Sequence, residues 1–134
     1  MNQFYSIDTK TGLINWIQDI NSSLRSTLID NLIFSITDNG YLTILNSKTG
    51  EILRRTDLFN EIKEKKRKKL GVTGFIVGKN KIYVSTKNGK ILVVSILNGK
   101  TVSSLKIDNN KISRPFVLNQ NLFVIKDNGI IKIE

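Results

Sequence analysis

Short runs rich in Ile, Val, Leu, Phe and Tyr are punctuated by Asn-Gly along this chain, and the pattern occurs three times. The segments are 31–50 (Asn31 to Gly50), 81–99 (Lys81 to Gly99) and 121–134 (Asn121 to Glu134). Each reads as a strand, a tight turn and a second strand, because the flanking residues are those that suit a pleated, half-buried surface. Asn39-Gly40, Asn88-Gly89 and Asn128-Gly129 are expected to form type I′ hairpin turns, in which both residues take positive φ.

A second glycine follows at fixed distance. Gly40 to Gly50 is ten residues, as is Gly89 to Gly99. Gly12 lies 38 residues before Gly50, in the matching context Thr9-Lys10-Thr11-Gly12. Counting ten back from Gly12 reaches Asn2, so the chain is expected to begin at a hairpin turn. The stretches 13–20, 52–57 and 101–107 read as strands after these turns. Shorter ones at 26–29, 74–77 and 115–118 lead into the hairpins. The result is four strands per unit at 38 to 49 residues, within the range of propeller blades. The predicted fold is all-β: about three antiparallel four-stranded blades in an incomplete β-propeller, with one short helical insertion. The units run 13–50, 51–99 and 100–134, with 1–12 as the end of a truncated blade. Between 57 and 74 the spacing lengthens. Asp57 is a candidate helix N-cap, Leu58, Phe59 and Ile62 share a helical face, and Gly71 is suited to end the helix.

The run Ser6-Ile7-Asp8-Thr9-Lys10-Thr11-Gly12-Leu13-Ile14-Asn15-Trp16 resembles the repeat of pyrroloquinoline-quinone-type propellers. That repeat ends alanine-x-aspartate-x-x-threonine-glycine-x-x-x-tryptophan. Asp8, Thr11, Gly12 and Trp16 match, and Ser6 replaces the alanine. The second unit keeps Asn46, Thr49 and Gly50 but has Arg54 in place of the tryptophan. The third keeps Asn98-Gly99. Within these propellers, 113–118 followed by 126–134 resembles the close of the BamB family of outer-membrane assembly lipoproteins. The resemblance implies a scaffold docking on an assembly machine, and a full-length relative with a signal peptide and further blades. It also implies a chain stopping after the third strand of a blade, whose fourth strand the N-terminus supplies. Three blades do not close a ring of the usual four to eight. A truncated product, a split partner and a self-assembling piece therefore all fit.

Composition narrows the chemistry. There is no Cys and no His. Disulfides, thiolate metal sites and any Ser-His-Asp or Cys-His mechanism within this chain are excluded. The chain is expected to be no enzyme and to hold no cofactor. Asp8, Asp38 and Asp127 sit at or beside turns, where Asp bonds its own backbone, and their spacing matches no EF-hand loop. No glycine cluster has the context of a phosphate loop. Trp16 is expected to pack between blades with its N–H bonded. Gly12, Gly40, Gly50, Gly89, Gly99 and Gly129 are expected to be structural.

The net charge is +10, and Lys63-Glu64-Lys65-Lys66-Arg67-Lys68-Lys69 carries six positive charges and one negative. This run is either a solvated loop helix or a contact for an anionic partner: lipid headgroups, nucleic acid or an acidic protein. It contains no aromatic residue, so nucleic acid is disfavoured. No apolar stretch reaches the ~20 residues of a membrane span. Residues 1–6 lack the features of a signal peptide. The expected location is therefore cytoplasmic if the chain is complete, and the periplasmic face of the outer membrane for a full-length relative.

Three functions stay open: a BamB-like protein–protein scaffold, a fragment of a quinone-dependent dehydrogenase, and an anion-binding module acting through 63–69. The expected partners are outer-membrane assembly proteins, together with missing blades or a second copy.

Overall fold

Turn chemistry dictates the strand boundaries. The computed structural model describes residues 3–67 and 69–134; Asn2, where a hairpin turn was expected, lies outside them. Among the described residues the strands are β1 (Phe4–Ile7), β2 (Ile14–Gln18), β3 (Thr27–Ile29), β4 (Leu32–Ile36), β5 (Tyr41–Asn46) and β6 (Ile52–Asp57). After the helical turn α1 (Glu64–Arg67) come β7 (Val72–Val77), β8 (Lys81–Thr86), β9 (Lys90–Ser95) and β10 (Thr101–Lys106). The last three are β11 (Phe116–Leu118), β12 (Asn121–Lys126) and β13 (Gly129–Ile133). Every pairing is antiparallel and joins chain neighbours, which gives the sheets β1-β2, β3-β4-β5-β6, β7-β8-β9-β10 and β11-β12-β13. The sheets are offset by one strand from the sequence repeat: β2, β6 and β10 open the repeats but close the preceding sheets.

Burial follows from the order of the sheets. The central strands β5 and β9 are buried on both faces because each complete sheet has a neighbour on either side. Phe34, Ile36, Leu42 and Ile44 meet Phe75, Ile82, Val84 and Val94 between the two complete sheets. Leu45, on the opposite face from Ile44, packs with Trp16 and Ile20 against the first sheet. Ile91 packs with Ile112 and Val124 against the last. The period of two along each strand thus feeds two cores at once.

The turns correct one expectation. Asn39 and Asn88 do not take positive φ; only Gly40 (φ 93°) and Gly89 (φ 79°) do. Gly40 N–H donates to the Thr37 carbonyl at 3.0 Å, and Thr37 N–H to the Tyr41 carbonyl at 3.0 Å. Each loop therefore has three residues and ends on a left-handed glycine, the other common hairpin geometry. The third Asn-Gly differs again. Lys126 pairs with Gly129, so the loop is Asp127-Asn128, and Asp127 holds the positive φ of 50°. Positive φ at both loop residues occurs at Asn119 (49°) and Gln120 (63°), which no Asn-Gly motif marks.

The insertion is also less helical than its pattern suggested. α1 is four residues long and begins at Glu64. Asp57 caps no helix. It ends β6, and its carboxylate accepts the Phe59 N–H at 3.0 Å and an Arg67 N–H at 2.5 Å.

Candidate functional site

The sheets are joined by a repeated contact. Each outer turn has the same backbone bonds: Gly12 N–H to the Asp8 carbonyl, Gly50 to Asn46 and Gly99 to Ser95, all at 2.8 Å. Four residues after Gly12, the Trp16 indole N–H donates to the Ser47 carbonyl at 2.9 Å. Four residues after Gly50, the Arg54 guanidinium donates to the Ile96 carbonyl at 2.7 Å. Ser47 and Ile96 occupy equivalent places, three residues before Gly50 and Gly99. Arg54 therefore reproduces the donor of Trp16 while lacking its ring. The ring requires a glycine opposite: a Cβ on Gly50 would come within 2.6 Å of the indole. At Gly99 the same atom would meet the Thr56 hydroxyl at 2.6 Å, whereas nothing lies within 4 Å at Gly12. The sequence showed the Trp-to-Arg departure; that the two share one acceptor position emerges only from the structure.

The inner hairpin tips are capped from their own sheet. Leu58 N–H donates to the Gly40 carbonyl at 2.9 Å, and Ile107 N–H to the Gly89 carbonyl at 2.8 Å. The Phe59 ring, fully buried, lies over Gly40, and the Asp108 and Asn110 carbonyls lie over Gly89. Asp108 also pairs with Lys126 at 3.2 Å. Its carboxyl is held below the ordinary value, first by the Asn109 N–H and then by Lys126, against an opposing contribution from burial. No segment of the described chain covers Gly129 in this way.

The basic run sits on the insertion, beside these tips. Lys63, Lys65, Lys66 and Lys69 are exposed, and none forms an ion pair among the described residues. Arg67 differs: it is half-buried and held by Asp57, whose hydrogen bond raises the guanidinium pKa. Lys68 lies outside the described residues. Next to the insertion a cleft of about 500 Å³ opens over the second complete sheet, where Leu58, Ile62 and Leu70 meet Thr86 and Lys100. Among the described residues no three Asp or Glu side chains gather as a cation site. Asp8 turns inward on its own loop and accepts the Lys10 and Thr11 N–H groups at 2.8 and 2.9 Å. Asp38 lends its carbonyl to Val72.

Two faces are left open at the ends of the stack. On the first sheet, Tyr5, Ile7, Ile14 and Ile17 point away from the core and are exposed. On the last, Phe116 stacks on Phe123 with ring centroids 5.5 Å apart, and Ile125 and Ile130 are exposed beside them.

Comparison with known proteins agrees with this arrangement. The chain is 26% identical over 134 aligned positions to "Outer membrane protein assembly factor BamB" of Escherichia coli, and equally to that of Shigella dysenteriae. It spans 90% of its own length but only 31% of these relatives. The resemblance to BamB holds. The crystal structure of BamB from Moraxella catarrhalis superimposes with a TM-score of 0.76 at 18% identity, over 97% of this chain and 36% of that one. A computationally designed protein, Ika4, gives 0.71 at 17% identity, over 95% and 76%. The β-propeller domain of Cps50 (Swd1) from Myceliophteria thermophila gives 0.66 at 11% identity, over 91% and 42%. No family model matches. These likenesses establish an incomplete β-propeller related to BamB. They overturn the cytoplasmic expectation: the relatives are outer membrane assembly factors of which this chain spans under a third, so its first residues carry no information about location. Among the described residues no helix is long and apolar enough to cross a membrane.

Proposed function

We propose that this chain is a non-catalytic scaffold that assists assembly of outer-membrane β-barrel proteins as part of a larger propeller. The match to outer membrane assembly factors over 90% of the chain carries the proposal. Three further features support it. The cross-sheet donors Trp16 and Arg54, with the cores beneath them, tie the first sheet to the second and the second to the third, and make a rigid frame for loops. The apolar outward faces at Tyr5, Ile7, Ile14 and Ile17, and at Phe116, Phe123, Ile125 and Ile130, are suited to further blades or a second copy. The absence of His and Cys from the sequence removes the side chains most enzymes use for proton transfer and nucleophilic attack.

A chimera tests this. The chain replaces the matching 31% of the Escherichia coli relative, in cells that lack the native protein. Restored levels of outer-membrane β-barrel proteins, together with co-purification of the assembly machinery, are expected. A folded, exported chimera that restores neither would refute the scaffold reading.

A further inference from the structure

We propose that the insertion between β6 and β7 is a docking surface for an anionic lipid bilayer. This stands apart from the scaffold reading, since it rests only on the insertion's own geometry and charge.

The insertion is anchored at both ends. At its start, Leu58 N–H bonds Gly40, the Phe59 ring is fully buried over that glycine, and Asp57 holds Arg67 at 2.5 Å. At its end, Val72 N–H donates to the Asp38 carbonyl at 2.9 Å and Lys87 N–H to the Gly71 carbonyl at 2.8 Å. The segment between is thus presented on a fixed base. Its apolar residues Leu58, Phe59, Ile62 and Leu70 all pack toward the core between the complete sheets. What faces outward is charge. Lys63, Lys65, Lys66 and Lys69 are exposed and unpaired among the described residues. Lys87 adds a fifth ammonium, because its stem lies against Gly71. Asp38, Glu61 and Glu64 are exposed nearby and offset part of this charge.

The kind of cation decides the partner. Protein interfaces concentrate Tyr, Trp and Arg at their centres and are depleted in Lys. Here no aromatic side chain is exposed on the insertion, and its arginine is committed to Asp57. Single-stranded nucleic acid is held by stacking on aromatic rings, which this surface lacks. Compact, strongly hydrated ammonium groups on flexible stems do not need a partner of fixed geometry. A fluid array of phosphate headgroups supplies that, and clustered lysines are attracted to it within a Debye length. With no apolar side chain to insert, attachment is peripheral and dissociates as salt rises.

Sedimentation with vesicles reads this directly. The 134-residue chain is mixed with vesicles of phosphatidylglycerol and phosphatidylcholine in equal parts, and with phosphatidylcholine alone. Binding to the first and not the second is expected, with at least ~10-fold weakening when Lys63, Lys65, Lys66 and Lys69 are all changed to Gln. The fourfold Lys→Arg variant should retain binding. The proposal is overturned if the wild-type chain fails to bind, or if the Gln variant binds as well as wild type. It is also overturned if binding is insensitive to salt, if the Arg variant loses it, or if duplex DNA or polyglutamate is held more tightly than the anionic vesicles.

Discussion

Two hairpins of this chain and a third share Asn-Gly and share little else. At 37–41 and 86–90 the turn residue before Asn-Gly is preceded by a threonine; at 126–129 that place is Lys126. The hydroxyl of Thr37 accepts the Tyr41 N–H at 3.0 Å and donates to the Asn39 side chain. The hydroxyl of Thr86 does the same for Lys90, at 3.1 Å, and for Asn88. Both threonines are buried. They tie a three-residue loop across its base, and the loop then closes on a left-handed glycine. Lys126 offers no acceptor, and the third loop contracts to two residues with its positive φ at Asp127. The difference shows that Asn-Gly marks a hairpin without choosing its geometry; a residue two positions earlier and the segment lying over the tip choose it.

The largest effect expected from this comparison is at the glycines. A Cβ on Gly89 would lie 2.2 Å from the Asp108 carbonyl oxygen, in backbone that cannot step aside cheaply, and at φ 79°. On Gly40 it would meet the Phe59 ring at 2.4 Å, a fully buried side chain rather than backbone. The left-handed conformation alone costs an L-residue about 1–2 kcal/mol, and the clash adds to it. Gly89→Ala should therefore destabilise by at least about 3 kcal/mol, and Gly40→Ala by slightly less. Gly129→Ala should change stability by less than about 0.5 kcal/mol, since it has no positive φ and its nearest neighbour would be 3.6 Å away. Urea midpoints of the three variants measure this. Similar losses at all three would break the distinction between covered and open tips.

Smaller effects should follow the threonine. Thr37→Val and Thr86→Val keep the shape but remove the acceptor for a turn N–H and the donor to the Asn side chain. Each is expected to cost about 1–2 kcal/mol. In hydrogen exchange, the Tyr41 and Lys90 amides should lose protection more than the strand amides around them. If those two amides stay as protected as in the wild type, the hydroxyl is not what sets the loop.

Much of this architecture is legible in the sequence because its signals are local and repeat. The strand runs and the glycine spacing point to four-stranded units, and the Asp8, Asn46 and Trp16 positions carry the resemblance to a known propeller repeat. What stays hidden depends on partners far along the chain. Nothing near Asn39 in sequence tells that Phe59 will lie over Gly40, and nothing near Arg54 tells that its acceptor is Ile96. The insertion misleads in an instructive way. Leu58, Phe59 and Ile62 have helical spacing because one side of the segment is buried, and that requirement is met by turns anchored on Gly40 rather than by a helix. The basic run is legible as charge, while the separation of Arg67 from its lysine neighbours needs the position of Asp57.

The finest contrast is between two outer turns of identical bonding. Asp8 Oδ1 accepts the Lys10 and Thr11 N–H groups, and Asn46 Oδ1 accepts those of Lys48 and Thr49 at 2.9 and 3.2 Å. Only the first can titrate. The Thr11 N–H, followed by that of Lys10, lowers the Asp8 pKa below its ordinary value of 3.8. A carboxyl whose pKa is lower folded than unfolded stabilises the fold above the unfolded value, and that contribution fades as pH falls through the folded one. Unfolding midpoints followed from neutral pH down to about pH 2–3 should thus fall less steeply in Asp8→Asn, which keeps the acceptor and loses the proton. Asn46→Asp should fall more steeply. The slope left in Asp8→Asn should include the contribution of Asp108, whose pKa is also lowered, chiefly by the Asn109 N–H. Because Asp8 is only half-buried in a surface turn, the change should be the smallest of the three and should shrink with added salt. An Asp8→Asn curve parallel to the wild type would mean that the turn draws nothing from the charge, and that Asp8 and Asn46 are interchangeable caps.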